Sequence, residues 1–169
     1  MRRIILSFFA VCILIGPVSA ADDVQPTSIK DEVQSLFNTS GTAFDKEDVG
    51  GVVRAYLPAA TLQYLDGTVL TADEWKANLK KNFNKIENEE TRYDVTKAEA
   101  IDVNGAATVT AIHEYMLTGG KHLYRTTRTW QVDLTKTLNG WRIVRLKQLS
   151  HKMTCDGAPC EEDTGIEKF

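Results

Sequence analysis

The residues with chemistry to offer crowd two neighbouring stretches of the chain: His113, Tyr115, Tyr124, Arg128 and Trp130. A two-residue turn at Gly119-Gly120 pairs Val109 with Trp130, Ala111 with Arg128, His113 with Thr126 and Tyr115 with Tyr124, because the turn fixes a hairpin's register. One face then carries the apolar set Val109, Ala111, Leu117, Trp130, Val132 and Leu134, and His113, Tyr115, Tyr124 and Arg128 share it. The other face holds Thr108, Thr110, Glu114, Arg125, Thr127, Gln131 and Asp133. Arg128 lies diagonal to His113 across such a hairpin, about 7–8 Å between backbones, and the small Ala111 opposite leaves room for the guanidinium.

A guanidinium on a core-facing side is costly, so it must meet a carboxylate, line a wet cavity or receive an anionic ligand. The competing reading is an internal ion pair or an end that reaches the rim. His113 is the candidate acid or base, since imidazole ionises near neutral pH, with a satisfied core histidine as the alternative. Tyr115 and Tyr124 suit packing, their hydroxyls finding partners. A turn at Asn104-Gly105 sets Thr96 opposite His113 and Asp94 opposite Tyr115, offering Asp94 as an orienter for the histidine or a partner for Arg128. A bulge would shift that pairing by one.

Other chemistry is not encoded. The sequence holds no glycine-rich phosphate loop, no His-x-x-x-His, no paired CxxC and no Gly-x-Ser-x-Gly elbow, so neither a cofactor nor a metal is expected. The 169 residues are 43% hydrophobic and 25% charged, which excludes disorder, and the formal charge of −3 leaves no basic footprint for nucleic acid or an anionic membrane. Lys80, Lys81 and Lys85 read as the solvated face of a helix, and His151 as surface.

The first 20 residues form a separate device. Arg2 and Arg3 precede an apolar stretch from Ile4 to Ile15, Gly16-Pro17 breaks it, and Val18-Ser19-Ala20 supplies the small residues of a cleavage site. The expectation is a cleaved signal peptide ending at Ala20, a periplasmic or secreted product and no membrane anchor afterwards. Removal takes two arginines and no acid from the formal charge of −3, leaving −5. Cys155 and Cys160 remain, and the turn-forming Asp156-Gly157-Ala158-Pro159 between them predicts a disulfide, which persists in such a compartment.

Elements must now position these groups. Residues 21–27 are expected to be a flexible start. Ser28 caps a helix whose stripe is Ile29, Val33, Leu36, Phe37 and Phe44, and Asp48 opens a short second one with Val49, Val52, Val53 and Tyr56 on its inner face. Asp66-Gly67 predicts a two-residue hairpin between Thr61–Leu65 and Thr68–Leu70. Thr71 to Glu74 forms a capping box for a third helix with Trp75, Leu79, Phe83 and Ile86 buried, and Glu87 to Glu90 reads as a loop. Strands follow over Arg92–Val103, Ala106–Leu117, His122–Leu134 and Trp141 to about Ser150. The expected class is α+β, helices on one face of a strongly curved, mostly antiparallel sheet, one domain over 28–152 and a tail with the disulfide loop over 153–169.

This order and three strings resemble the nuclear transport factor 2-like superfamily, the cystatin-like cone fold of SnoaL-like cyclases and ketosteroid isomerase. The strings are Ala43 to Asp48 leading into Val52 to Leu57, then Ala60-Thr61 before the Asp66-Gly67 hairpin, and Asn139 to Val144. The resemblance implies a homodimer paired through the outer sheet face, and it allows one negative test. Ketosteroid isomerase uses a tyrosine, an aspartate base and a protonated aspartate; alignment puts Ser40, Tyr64 and Arg128 there, and none matches. His113 and Tyr115 are loosely similar to the pair that serves the dehydratase branch.

The expectation is therefore an exported module that binds a small apolar or anionic molecule, or a partner, through a polar-tipped apolar cavity lined by Tyr64, Asp94, His113, Tyr115, Tyr124, Arg128 and Trp130. The alternative is a dehydratase, isomerase or hydrolase using His113 as acid or base, with Tyr64 or Tyr115 and Arg128 as substrate or oxyanion donors.

Overall fold

The computed structural model describes residues 28–160 and Lys168. The expected signal peptide over residues 1–20, the expected flexible start at 21–27 and most of the tail beyond Cys160 lie outside the described residues.

Helix α1 (Ile29–Asp45) begins where Ser28 accepts a hydrogen bond from the Asp31 backbone N–H at 3.2 Å, and it buries Val33, Phe37 and Phe44. Helix α2 (Val49–Val53) is capped by Asp48, which accepts from Gly51 N at 3.0 Å. The chain is already extended at Tyr56, which opens β1 (Tyr56–Gln63) rather than closing the second helix. Strand β2 (Val69–Thr71) returns through a three-residue loop, Leu65-Asp66-Gly67, since Tyr64 N donates to Thr68 O at 2.8 Å. Gly67 sits there at φ 88°, so the glycine serves the last loop position and the two-residue turn is corrected to three.

Thr71 then caps α3 (Ala72–Phe83) through the expected reciprocal box with Glu74, and Trp75 and Leu79 are buried. Each such side chain contributes roughly 2 kcal/mol by leaving water. Strand β3 (Ile86–Ile101) starts earlier than expected, so Glu87 to Glu90 belongs to a strand and not a loop; its pairing reaches Leu117 of β4 (Asn104–Leu117). The β3–β4 turn is Asp102-Val103, with Asp102 at φ 55°, not Asn104-Gly105. Gly105 serves packing instead, since a Cβ there would stand 3.1 Å from Trp141 Cζ3 and 3.3 Å from Cη2. Its missing side chain lets the indole lie on the strand.

Strands β5 (Leu123–Thr137) and β6 (Gly140–Cys155) complete a sheet ordered β2-β1-β6-β5-β4-β3, and the short β7 (Ala158–Pro159) pairs with β6. Every neighbour is antiparallel except β1 with β6, where the chain crosses over. Strand β6 runs past Ser150 to Cys155, so the disulfide loop is a hairpin of the sheet. Cys155 and Cys160 are bonded, with Cα atoms 5.7 Å apart.

The fold is the expected α+β arrangement, with helices packed on a large mixed sheet. Helix α1 is stitched to the sheet at two points. Gln34 donates to Tyr93 O at 2.8 Å and accepts from Val95 N at 2.9 Å, beside the β3 bulge between Val95 and Lys97. Glu32 accepts from Trp141 Nε1 at 2.8 Å and pairs with Lys136 at 3.2 Å.

Candidate functional site

The β4–β5 register is the expected one: Val109 pairs with Trp130, Ala111 with Arg128, His113 with Thr126 and Tyr115 with Tyr124. Register sends these side chains inward, where a cavity of about 30 Å³ is lined by Phe37, Phe44, Tyr56, Leu62, Trp75, Tyr93, Ala111, His113, Arg128, Trp130 and Leu146. That space holds roughly two waters. A wider groove of about 790 Å³ runs outside, between α1, α2 and the β5–β6 turn, and contains none of the residues singled out for chemistry apart from Ser40. The interior cavity is the candidate site, because charge, imidazole and aromatic walls converge there.

His113 and Arg128 are 6% and 5% exposed. Three aromatic or hydroxyl groups hold the imidazole: Phe44 at 4.9 Å, Tyr93 edge-on at 5.8 Å, and Thr91 Oγ1 at 3.5 Å from Nδ1. Burial lowers the His113 pKa from 6.5 to about 3, and the nearby Arg128 charge pushes the same way. The ring is neutral at physiological pH. Burial likewise raises Tyr56 and Tyr93, so both hydroxyls stay protonated and can donate. Trp75 is 5% exposed, and its Nε1 has no hydrogen-bond partner among the described residues.

Of the residues expected here, His113, Arg128 and Trp130 line the cavity. Tyr64 is buried one layer away, its ring edge-on to Trp130 at 5.5 Å. Tyr115 and Tyr124 stack on each other at 5.6 Å, beyond the cavity wall. Asp94 is corrected outright: it pairs with Thr110 on the other face of the sheet, while Thr91 takes the place opposite His113. The displaced turn shifts the register by an even number of residues and the irregularity at Val95/Lys97 by one more, and that odd step turns Asp94 to the other face. Ser40 is buried, its hydroxyl donating to Val52 O at 3.5 Å.

Sequence reasoning missed Tyr56, Tyr93 and Trp75 as polar wall residues. Trp75 was legible as buried from its helical stripe. Tyr93 depended on the β3 register, and Gly41 gives it room, since a Cβ there would lie 3.1 Å from Tyr93 Cε2. No group of three His, Cys, Asp or Glu side chains converges to hold a metal among the described residues.

A family model for the SnoaL-like domain matches residues 25–147. The chain belongs to the SnoaL-like domain family. No curated protein matches it in sequence. Among solved structures it resembles a conserved protein from Planctomyces limnophilus, with 9% identity, a TM-score of 0.63 and coverage of 69% of this chain and 91% of that one. A ketosteroid isomerase-like protein from Erwinia carotovora atroseptica shares 14% identity at a TM-score of 0.57, over 72% and 96% of the two chains. A nuclear transport factor 2-like protein of unknown function from Shewanella oneidensis shares 14% at 0.58, over 70% and 96%. At these identities the likeness establishes the SnoaL-like cone and not an activity.

Proposed function

We propose that this SnoaL-like domain is an exported, non-catalytic binding module whose ligand-reading group is the polar end of the cone interior. One observation carries the reading: the lining joins a cation, a neutral imidazole and aromatic donors, with no carboxylate among its described residues. General acid–base chemistry needs a proton acceptor matched to the working pH, and an imidazole with a pKa of about 3 is a weak base. The enzyme reading through His113 therefore has less support than binding. Export accords with the leader sequence, with the disulfide and with the absence, among the described residues, of any helix long and apolar enough to cross a membrane. A ligand larger than two waters needs wall side chains to move.

Native mass spectrometry of mature Ala21 to Phe169, recovered from the envelope of the producing cell, tests this. A discrete small-molecule mass on the protein is the expected result. An empty protein holding a second, different chain would replace it with a surface adaptor. The same spectrum tests the homodimer that the family resemblance implies.

A further inference from the structure

Lys168 is gripped at four points outside the interior cavity. Its ammonium pairs with Asp66 Oδ2, donates to Thr68 Oγ1 at 3.0 Å and lies 5.5 Å from the centroid of the Tyr64 ring. Its backbone carbonyl accepts from Asn78 Nδ2 at 3.1 Å. The chain around the grip is fixed without it. Asp66 Oδ1 accepts from Thr68 N at 2.9 Å, which leaves Oδ2 for the ammonium. Tyr64 is buried, and its edge-on contact with Trp130 at 5.5 Å holds the ring whose face the cation meets. A carboxylate, a hydroxyl acceptor and a ring face together answer the needs of a compact ammonium with three donors.

We infer that the β1–β2 hairpin carries a lysine-reading socket, filled in cis by Lys168 and open to a lysine of another polypeptide when Lys168 withdraws. An ion pair whose side chains are 39% and 56% exposed is worth little by itself, so the cis occupant can exchange. A tethered lysine still outcompetes a free one, because its effective concentration is on the order of millimolar. Asn78 reads the backbone beside the ammonium, which makes the occupant a residue of a chain rather than a free amine. The Lys168 hydrogen bond, ahead of those from Thr68, holds the Asp66 carboxyl down from 3.8 to about 2. The socket is separate from the interior site and stands without it.

Carboxyl-carbon nuclear magnetic resonance of Asp66 in the mature protein tests both halves. Lys168→Ala should return the Asp66 titration toward the ordinary carboxylate value. N-acetyl-lysine methylamide is then titrated at neutral pH, with the uncharged N-acetyl-norleucine methylamide as control. A saturable Asp66 shift in Lys168→Ala, absent with the norleucine probe and about tenfold or more weaker in wild type, where Lys168 competes, is the expected result. Adding Asp66→Asn to Lys168→Ala keeps an acceptor for the Thr68 N–H and should abolish binding, read at the Thr68 amide.

An Asp66 titration unchanged by Lys168→Ala overturns the cis contact, and with it the inference. Equal responses to the two probes, or none in Lys168→Ala, overturn the reading of lysine from another chain.

Discussion

Replacing His113 with Gln should remove most of the pH dependence of stability between about pH 7 and about pH 5. The folded-state pKa of about 3 lies below the unfolded value of 6.5, through burial first and the Arg128 charge second. The unfolded chain therefore takes up a proton throughout that window and the folded chain does not. Stability is fully present above the unfolded pKa and is lost as the pH falls toward the folded one. The slope is about 1.4 kcal/mol per pH unit, giving a loss of about 2 kcal/mol by about pH 5. Urea unfolding at about pH 7, 6 and 5 on wild type and His113→Gln measures it. Carboxylates titrate mainly lower and cancel in the difference between the two proteins. Parallel losses in both would refute the reasoning, because they would mean that His113 takes up its proton as readily in the folded chain as in the unfolded one.

Three smaller outcomes follow from the same structure. Thr71→Ala removes the side-chain half of the α3 capping box, the hydroxyl that accepts from Glu74 N, while the backbone N–H at position 71 can still donate to Glu74; it should cost about 1 kcal/mol in urea unfolding, with no change in the Trp75 environment. Cys155→Ser opens a loop closed over a sequence separation of 5 and should cost about 2 kcal/mol, an effect that reductant reproduces in the wild type and not in the variant. Ala111→Leu adds an isopropyl group beside a cavity of about 30 Å³, so calorimetry should show destabilisation of about 1–3 kcal/mol from overpacking.

Where a local rule and the core agreed, the chain was legible. Ser28, Asp48 and Thr71 cap helices because short polar side chains satisfy exposed N–H groups, and the β4–β5 register followed from two glycines and an alternating apolar face. The errors arose where one residue type serves two purposes. Asn104-Gly105 has turn chemistry, yet Gly105 is needed beneath Trp141, and the turn moved to Asp102-Val103. Tyr56 continued a helical stripe, yet its neighbour Ala55 accepts a hydrogen bond from Ile143 N at 2.8 Å, which draws the chain into the sheet. Close approach and strand pairing are tertiary demands that no local window carries.

The bulge between Val95 and Lys97 decides which residues of β3 face the interior. Without it, either turn would leave Asp94 on the face of His113 and Arg128, because a turn displaced by two residues shifts the register by an even number and keeps the face. With Asp102-Val103 and the bulge beyond Val95, Thr91 and Tyr93 face inward and Asp94 faces out. Gln34 holds that choice by bonding the Tyr93 carbonyl and the Val95 N–H, and Gly41 makes the space for the tyrosine ring. The cavity wall thus gains a hydroxyl in place of a carboxylate. Register, as much as residue content, sets which groups line the interior of this cone.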